Sequence, residues 1–176
     1  MATATEQLQG SYVLDHVHSS ASFAVKHMVV STFRGRFEKF DATLTDGKLV
    51  GTVDVGSIVV KDENLAAHLQ SPEFFDAERH PELRFESTDI RRTGDGDEVV
   101  VDGELTIKGI TKPVEARGTI TEPAVTFGDL EKVGIELEAI VDRTEYGLSW
   151  NAPLPKGGFA LANEVKLQVN LELARA

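Results

Sequence analysis

The chain carries five histidines, and histidine is a side chain that can ligate a metal ion or exchange a proton near neutral pH. They are His16, His18, His27, His68 and His80. No two of them have the helical i, i+4 spacing of a zinc site, and no carboxylate cluster completes a ligand set. The spacing therefore predicts structural or surface histidines and no metal site.

The residue patterns needed for covalent catalysis are also missing. The chain has no cysteine, which excludes thiol catalysis, thiolate metal sites and disulfides. No G-x-S-x-G nucleophile elbow occurs, and Lys156-Gly157-Gly158 is a turn sequence and not a phosphate loop. Nothing selects a catalytic carboxylate pair from the many acidic side chains. We predict no catalytic residue and expect an apolar interior with a few polar groups at one end, a ligand-binding pattern.

The charge balance disfavours several classes of partner. Lys plus Arg number 18 and Asp plus Glu number 29, so the net charge is −11. Nucleic acid is therefore not an expected partner, because phosphate binding needs a basic face, and an anionic membrane surface is disfavoured too. The first ten residues lack the pattern of a signal peptide, and no apolar run approaches the ~18 residues of a membrane span. We expect a cytoplasmic protein that does not insert into membranes.

Alternating apolar and polar residues predict strands over most of the chain. The clearest is the last, from Leu161 to Leu173. We identify eight substantial strands, or nine if Ser11 to Asp15 is separate. Turn signals such as Asp46-Gly47 join them in sequence. This order predicts an all-β, lipocalin-like antiparallel barrel, which can either fill with side chains or hold one small ligand.

Two irregularities accompany this pattern. The strand from Thr32 to Thr45 changes parity in its middle, which predicts a β-bulge near Glu38-Lys39. The first ten residues are small and polar, and we expect residues 1–10 to be flexible. Residues 11–176 are then one barrel domain, since the length supports one hydrophobic core better than two.

One helix is predicted, between the fourth and fifth strands. Asp62 is suited to cap its start, Leu65 and Leu69 share one face, and Pro72 ends it. A short turn from Pro72 to Asp76 follows and carries two phenylalanines. An inserted helix and aromatic turn of this kind either plug one end of a barrel or form a lid over a cavity.

The order of motifs resembles the YceI-like family over nearly the whole chain, from Tyr12 to Leu173. The N-terminal signature is Asp15-His16-Val17-His18-Ser19 with Phe23-Ala24-Val25-Lys26-His27, and Phe33-Arg34-Gly35-Arg36-Phe37 follows it. The central block runs from Asp62 to Thr88. The most specific run is Gly103 to Val114, and the last motif is Asp142-Arg143-Thr144-Glu145-Tyr146-Gly147.

The resemblance implies a lipocalin-like barrel that binds a polyisoprenoid lipid, of the prenyl quinone or prenyl pyrophosphate type, often as a homodimer. Many family members are exported, and the missing signal pattern departs from them. No cofactor is expected apart from the lipid ligand. Two alternatives stay open: an enzyme acting on a hydrophobic small molecule in the same pocket, and a filled barrel with a structural or partner-binding role.

A prenyl tail would need a dry tunnel lined by aromatic and small residues. The predicted tunnel residues are Phe23, Val25, Phe37, Phe40, Val53, Leu65, Leu69, Phe74, Phe75, Phe85, Leu105, Gly118, Leu137, Ala139 and Phe159. The predicted head-group residues are His18, Lys26, His27, Arg36 and Arg143. Each has a structural alternative: the phenylalanines can be plain core, and Arg143 can pair with Asp142 or Glu145.

Overall fold

A computed structural model describes residues 4–176 of the chain. The helices are α1 (Ala4–Gln7) and α2 (Glu63–Gln70), with 3-10 turns at Val55–Ser57, Phe127–Asp129 and Arg143–Tyr146. The strands are β1 (Ser11–Leu14), β2 (Ser20–His27), β3 (Ser31–Phe37), β4 (Phe40–Thr45), β5 (Lys48–Asp54), β6 (Ile58–Val59), β7 (Glu82–Arg92), β8 (Glu98–Ile107), β9 (Ile110–Ile120), β10 (Ala124–Val125), β11 (Glu131–Asp142) and β12 (Leu161–Arg175).

Neighbours in sequence pair antiparallel around a closed barrel. Three of the eight barrel strands are interrupted and consist of two segments each: β1 with β2, β3 with β4, and β5 with β6. The other five are β7, β8, β9, β11 and β12. β12 closes the ring, because β11 pairs along one of its edges while β1 and β2 pair along the other. The predicted eight-stranded antiparallel barrel with one inserted helix is confirmed.

The prediction of a simple bulge near Glu38-Lys39 is wrong. The strand ends at Phe37 and a new one begins at Phe40, after the chain has changed partners from β2 to β1. The two linking residues bond to Ser57, whose backbone oxygen accepts from the Glu38 N–H at 3.2 Å and whose hydroxyl accepts from the Lys39 N–H at 2.9 Å. The adjacent barrel strand, formed by β5 and β6, is also interrupted here, at the Val55–Ser57 turn. Both barrel strands therefore bend together.

The predicted flexible segment, residues 1–10, is described only from residue 4 onward. Ala4–Gln7 form one helical turn, and the Gln7 side-chain oxygen accepts from Arg92 Nε at 2.7 Å. Leu8 is fully buried and packs in a cluster with Tyr12 and Leu44. Leu8 therefore belongs to the core at this end of the barrel, and a polar composition around it gave no sign of that.

The helix predicted from Asp62 is present at the other end of the barrel. The Asp62 carboxylate accepts from the Leu65 N–H at 2.9 Å, and the helix ends at Gln70, two residues before Pro72. Its buried residue, Leu69, packs with Phe74 of the aromatic turn in the cluster that fills this end. The helix and the turn together cover the barrel mouth.

Gly118 on β9 has the inward parity that the sequence pattern predicted, but it does not leave room for a ligand. A Cβ built there would lie 1.8 Å from the backbone oxygen of Glu136 on β11. The neighbouring strand occupies the position that a side chain would take at Gly118. It can approach this closely because glycine has no side chain. The prediction that Gly118 lines the tunnel is wrong.

We expect Gly118→Ala to destabilise the barrel by about 1–3 kcal/mol, because the backbone of β11 cannot yield as a flexible side chain would. Gly51→Ala is the matched control, since a Cβ at Gly51 meets its nearest atom, the Asp41 backbone oxygen, at 3.8 Å. Urea unfolding followed by Trp150 fluorescence measures both variants. Equal stability of the two variants would contradict the close approach of β9 and β11.

Candidate functional site

An apolar cavity lies between the barrel wall and the covering helix, and we call it the mouth cavity. Its volume is about 330 Å³, which is within the usual range of a small-molecule site. The walls come from β2, β3, β12, α2, the aromatic turn and the loop after β11. They are formed by Phe23, Val25, His27, Met28, Phe33, Phe37, Leu65, His68, Leu69, Phe74, Phe75, Leu83, Ile107, Val141, Arg143, Leu148, Trp150, Ala160, Leu161, Val165 and Leu167.

A second apolar space, the inner cavity, lies deeper in the barrel and measures about 150 Å³. It shares three lining residues with the mouth cavity: Phe37, Leu83 and Leu167. We call these three the waist. The two cavities therefore lie in series along the barrel, and a long narrow apolar ligand could pass from one into the other.

The charged and polar side chains of the mouth cavity are all basic or neutral. Among the described residues they are His27, His68 and Arg143, and no carboxylate lines this cavity. In the inner cavity, Asp41, Arg84 and Glu138 are among the lining residues, but their side chains are exposed and pair with His16, Glu86 and Lys166. In a chain with a net charge of −11, a cavity end without acidic groups is a local departure from the overall charge.

Arg143 is buried, with 6% of its surface exposed. Its Nε donates to the Ala162 backbone oxygen at 2.9 Å, and its Nη1 donates to the oxygens of Leu148 at 2.5 Å and Trp150 at 3.0 Å. Its Nη2 is buried without a hydrogen-bond partner. Burial lowers the pKa of the guanidinium below its ordinary value. Arg143 therefore fixes the loop after β11 and retains one unused donor.

The expected ion pair of Arg143 with Asp142 or Glu145 does not occur among the described residues. The Asp142 carboxylate instead accepts from the backbone N–H of Thr144 at 2.9 Å and from its hydroxyl at 2.6 Å. These bonds lower the pKa of Asp142 and turn its charge toward the start of the 3-10 turn. The positive charge of Arg143 consequently has backbone carbonyl partners but no bonded carboxylate.

An aromatic cluster closes the mouth on the helix side. The His68 ring makes edge contacts with Phe74 and Trp150, at centroid distances of 4.9 and 5.0 Å, and the Phe74 and Trp150 rings lie 5.5 Å apart. His68 Nε2 lies 2.5 Å from the Glu73 carboxylate. These contacts join α2, the aromatic turn and the β11–β12 loop over one opening.

The opposite side of the mouth is the β2–β3 hairpin tip. Met28 lines the cavity, and Met28 and Val29 both adopt positive φ values, 52° and 68°, which are strained for side chains of these types. The Met28 N–H bonds to the Ala160 oxygen at 2.8 Å, which couples the hairpin to the β11–β12 loop. Val30 at the tip is 84% exposed.

Most of the predicted tunnel residues lie on these two cavities. The mouth cavity receives Phe23, Val25, Phe37, Leu65, Leu69, Phe74 and Phe75. The inner cavity receives Phe37, Phe40, Val53, Phe85, Leu105, Leu137 and Ala139. The structure thus brings distant predicted residues to two adjoining apolar cavities; whether a ligand occupies them stays a prediction.

Two predicted tunnel residues and three predicted head-group residues lie elsewhere. Gly118 faces the β11 backbone, and Phe159 is 58% exposed in a loop that has no strand periodicity. Lys26 points outward from β2 into a shallow surface pocket with Phe159. Arg36 is exposed beside Glu38, at 3.7 Å, and His18 lies toward the α1 end of β12. The assignment of Gly118 is wrong because the β11 backbone fills its inner side, and the other four are wrong because their side chains point outward or lie in irregular loops away from the cavities.

Several cavity residues were not among the predictions. Leu83, Leu161, Val165 and Leu167 lie on predicted strands with inward parity, so the alternation itself could have identified them. The loop residues, such as Leu148 and Trp150, carry no comparable signal. Their position depends on the bonds from Arg143 to the loop backbone, which no local sequence pattern reveals.

The acidic residues nearest to a metal-like arrangement are Asp15 and Glu172, which lie beside His18 on the outside of the barrel. Lys132 already occupies this cluster, with Nζ 2.9 Å from Glu172 and 3.7 Å from Asp15. The bond from His18 holds the pKa of Asp15 at about 2, and the same bond raises the pKa of His18 above 6.5. The cluster ties the β1–β2 connection to β11 and β12.

A depression larger than either cavity is a different feature. It is an open outer groove of about 770 Å³ between β9 and β11, where Glu115, Arg117 and Glu145 lie along the walls. The two strands pair only from Arg117 to Ile120 and diverge beyond that. Its charged walls and outward position make it a poor site for an apolar ligand, despite its size.

Comparison with known proteins agrees with this architecture. The model of a family described as "YceI-like domain" matches residues 12–173. The chain belongs to the YceI-like family. A UPF0312 protein of Staphylococcus aureus (strain N315) is 30% identical over 175 residues, which cover 93% of this YceI-like chain and 97% of that protein.

Solved structures extend the comparison to the fold. BcnA of Burkholderia cenocepacia has a TM-score of 0.74 and 25% identity, covering 90% of this chain and 98% of that one. A Saccharophagus degradans structure described as a polyisoprenoid binding domain has a TM-score of 0.71 and 12% identity, covering 94% and 98%. Both share the barrel. Within residues 4–176, none of the helices is long and apolar enough to cross a bilayer.

We expect Asp15→Asn to lower the pKa of His18, because the largest cause of its rise is the Asp15 bond. The folded pKa is raised, so this bond stabilises the fold below about pH 6.5 and the benefit is lost as pH rises through the raised value. NMR titration of His18 checks the shift, with Asp41→Asn as the control. An unchanged His18 pKa in Asp15→Asn would contradict the pairing.

Proposed function

We propose that this YceI-like protein binds a polyisoprenoid lipid in the mouth and inner cavities and sequesters or carries it. The observation that supports this most strongly is the pair of adjoining apolar cavities, with the basic side chains His27, His68 and Arg143 in the lining of the mouth cavity. An elongated apolar tail with one polar end matches that arrangement. The family membership and the polyisoprenoid-binding neighbour from Saccharophagus degradans point the same way.

Burial of the tail supplies the affinity. At ~25 cal/mol per Å², removing ~300 Å² of apolar surface from water is worth roughly 7 kcal/mol before the cost of association is subtracted. The aromatic rings of Phe23, Phe37 and Phe75 lie close together, at centroid distances of 5.8 and 6.2 Å. They give the wall a fixed shape against which a prenyl chain can pack.

Binding without covalent chemistry fits this cavity better than catalysis does. The described lining of the mouth cavity contains no hydroxyl or thiol nucleophile. Its histidine–carboxylate pair among the described residues, His68 with Glu73, lies in the aromatic cluster, where the His68 ring makes edge contacts with Phe74 and Trp150. We propose a binding protein of the cytoplasm; a homodimer remains a prediction that analytical ultracentrifugation would test.

The first test is mass spectrometry of an organic extract of the purified protein, alongside native mass spectrometry of the intact protein. We expect a prenyl lipid in near-stoichiometric amount. An apo mass leads to a second step, in which prenyl quinones, prenyl phosphates and prenyl alcohols are added while Trp150 fluorescence is followed, since this single tryptophan lines the cavity. Failure of every added lipid to bind would overturn the proposal.

We expect Ala139→Leu to weaken the binding of long prenyl chains by about tenfold or more while the fold is kept, because the larger side chain occupies the inner cavity. Ile140→Leu is the control: the neighbouring side chain is 62% exposed and lies outside the barrel. Short chains that stay in the mouth cavity should bind both variants alike. Equal loss for short and long chains would place the tail outside the inner cavity.

A further inference from the structure

The mouth cavity combines an apolar wall with a positive charge that no bonded carboxylate balances. Arg143 is the only side chain with a permanent charge among its described lining residues, and no acidic side chain lines the cavity with it. The Asp142 carboxylate attracts the guanidinium only through space, and the loss of hydration on burial outweighs that attraction. The lowered pKa of the guanidinium has the same physical cause. A ligand that brings a negative charge to this place would relieve that cost.

The guanidinium is also held ready for one more hydrogen bond. The backbone oxygens of Leu148, Trp150 and Ala162 accept from Nη1 and Nε, which fixes the plane of the group. Nη2 is buried and has no partner. A fixed planar donor of this kind suits phosphate recognition, since Arg binds phosphate oxygens with little further loss of side-chain freedom.

We propose that the mouth cavity selects a polyisoprenoid with a phosphate head group over one with a neutral head group, and that Arg143 binds this phosphate through Nη2. The inference rests on the proposed function and adds the chemical class of the head group. A hydroxyl or a quinone carbonyl can accept a hydrogen bond, but it leaves the buried charge without a bonded counter-charge. A phosphate supplies both the acceptor and the charge.

Two histidines of the mouth cavity agree with placing a phosphate group there. His27 lines the same cavity at the end of β2, and Leu161 on β12 is its register partner. His68 lies on the helix side of the mouth. The acidic groups nearest in sequence to Arg143 are directed away from it, as Asp142 caps the 3-10 turn through Thr144 and Glu145 lines the outer groove.

The test compares geranylgeranyl phosphate with geranylgeraniol, which has the same tail and a neutral hydroxyl head. We expect the wild-type protein to bind the phosphate about tenfold or more tightly than the alcohol, as charge-assisted hydrogen bonds allow. In Arg143→Gln the ratio of the two affinities should fall to about one, because glutamine has neither the charge nor the Nη2 donor. The ratio is the readout, since losing the bonds from Arg143 to the loop changes the binding of both lipids. Arg36→Gln, which removes an exposed arginine outside the cavity, should keep the preference.

A measurement on the wild-type protein covers the case in which Arg143→Gln does not fold. The guanidinium ¹⁵N resonances of Arg143 should shift when geranylgeranyl phosphate is added and stay in place with geranylgeraniol. Equal affinity for the two probes, or a phosphate preference without any Arg143 shift, would overturn the head-group inference and leave the proposed function intact. If neither probe binds, both proposals are wrong.

Discussion

The structure depends on the pairing of β12 along both of its edges. β11 pairs with it from Lys132↔Ala174 to Asp142↔Glu164, while β2 and β1 occupy the other edge in turn. This closure satisfies the backbone of the first and last strands and leaves no open edge between them. It also fixes the register of the inward side chains of β12, which line both cavities. A slip of one residue would turn that apolar row to solvent and its polar row inward.

Closure alone does not make a binding site, because eight strands of this size can fill their own interior. The bend at Glu38-Lys39 and the matching break at Val55–Ser57 divide the barrel into two parts. One end is closed by α1 and a tightly packed cluster around Leu8 and Tyr12. The other is covered by α2, the aromatic turn and the loop that Arg143 secures. Covering elements complete the wall of the mouth cavity, whereas strands alone line the inner cavity.

The sequence predicted what depends on local pattern. Strand alternation placed Phe23, Val25, Leu105 and Leu137 on the inner face, and the cap at Asp62 located the helix. It could not predict features set by contacts between distant segments. A small residue such as Gly118 indicates equally an empty space or a close strand, and only the approach of Glu136 decides between them. The position of the Arg143 side chain likewise depends on backbone carbonyls up to 19 residues away along the chain.

The waist of Phe37, Leu83 and Leu167 divides the apolar interior of the barrel into two compartments. A tail that ends before these side chains gains only the burial offered by the first compartment. A tail that passes between them gains the second compartment as well. Affinity should then rise with the number of isoprene units in two stages, with a plateau between them, and stop rising once the inner compartment is full. Under the proposed function, discrimination between lipids of different length would depend on these three side chains, which lie on three separate strands.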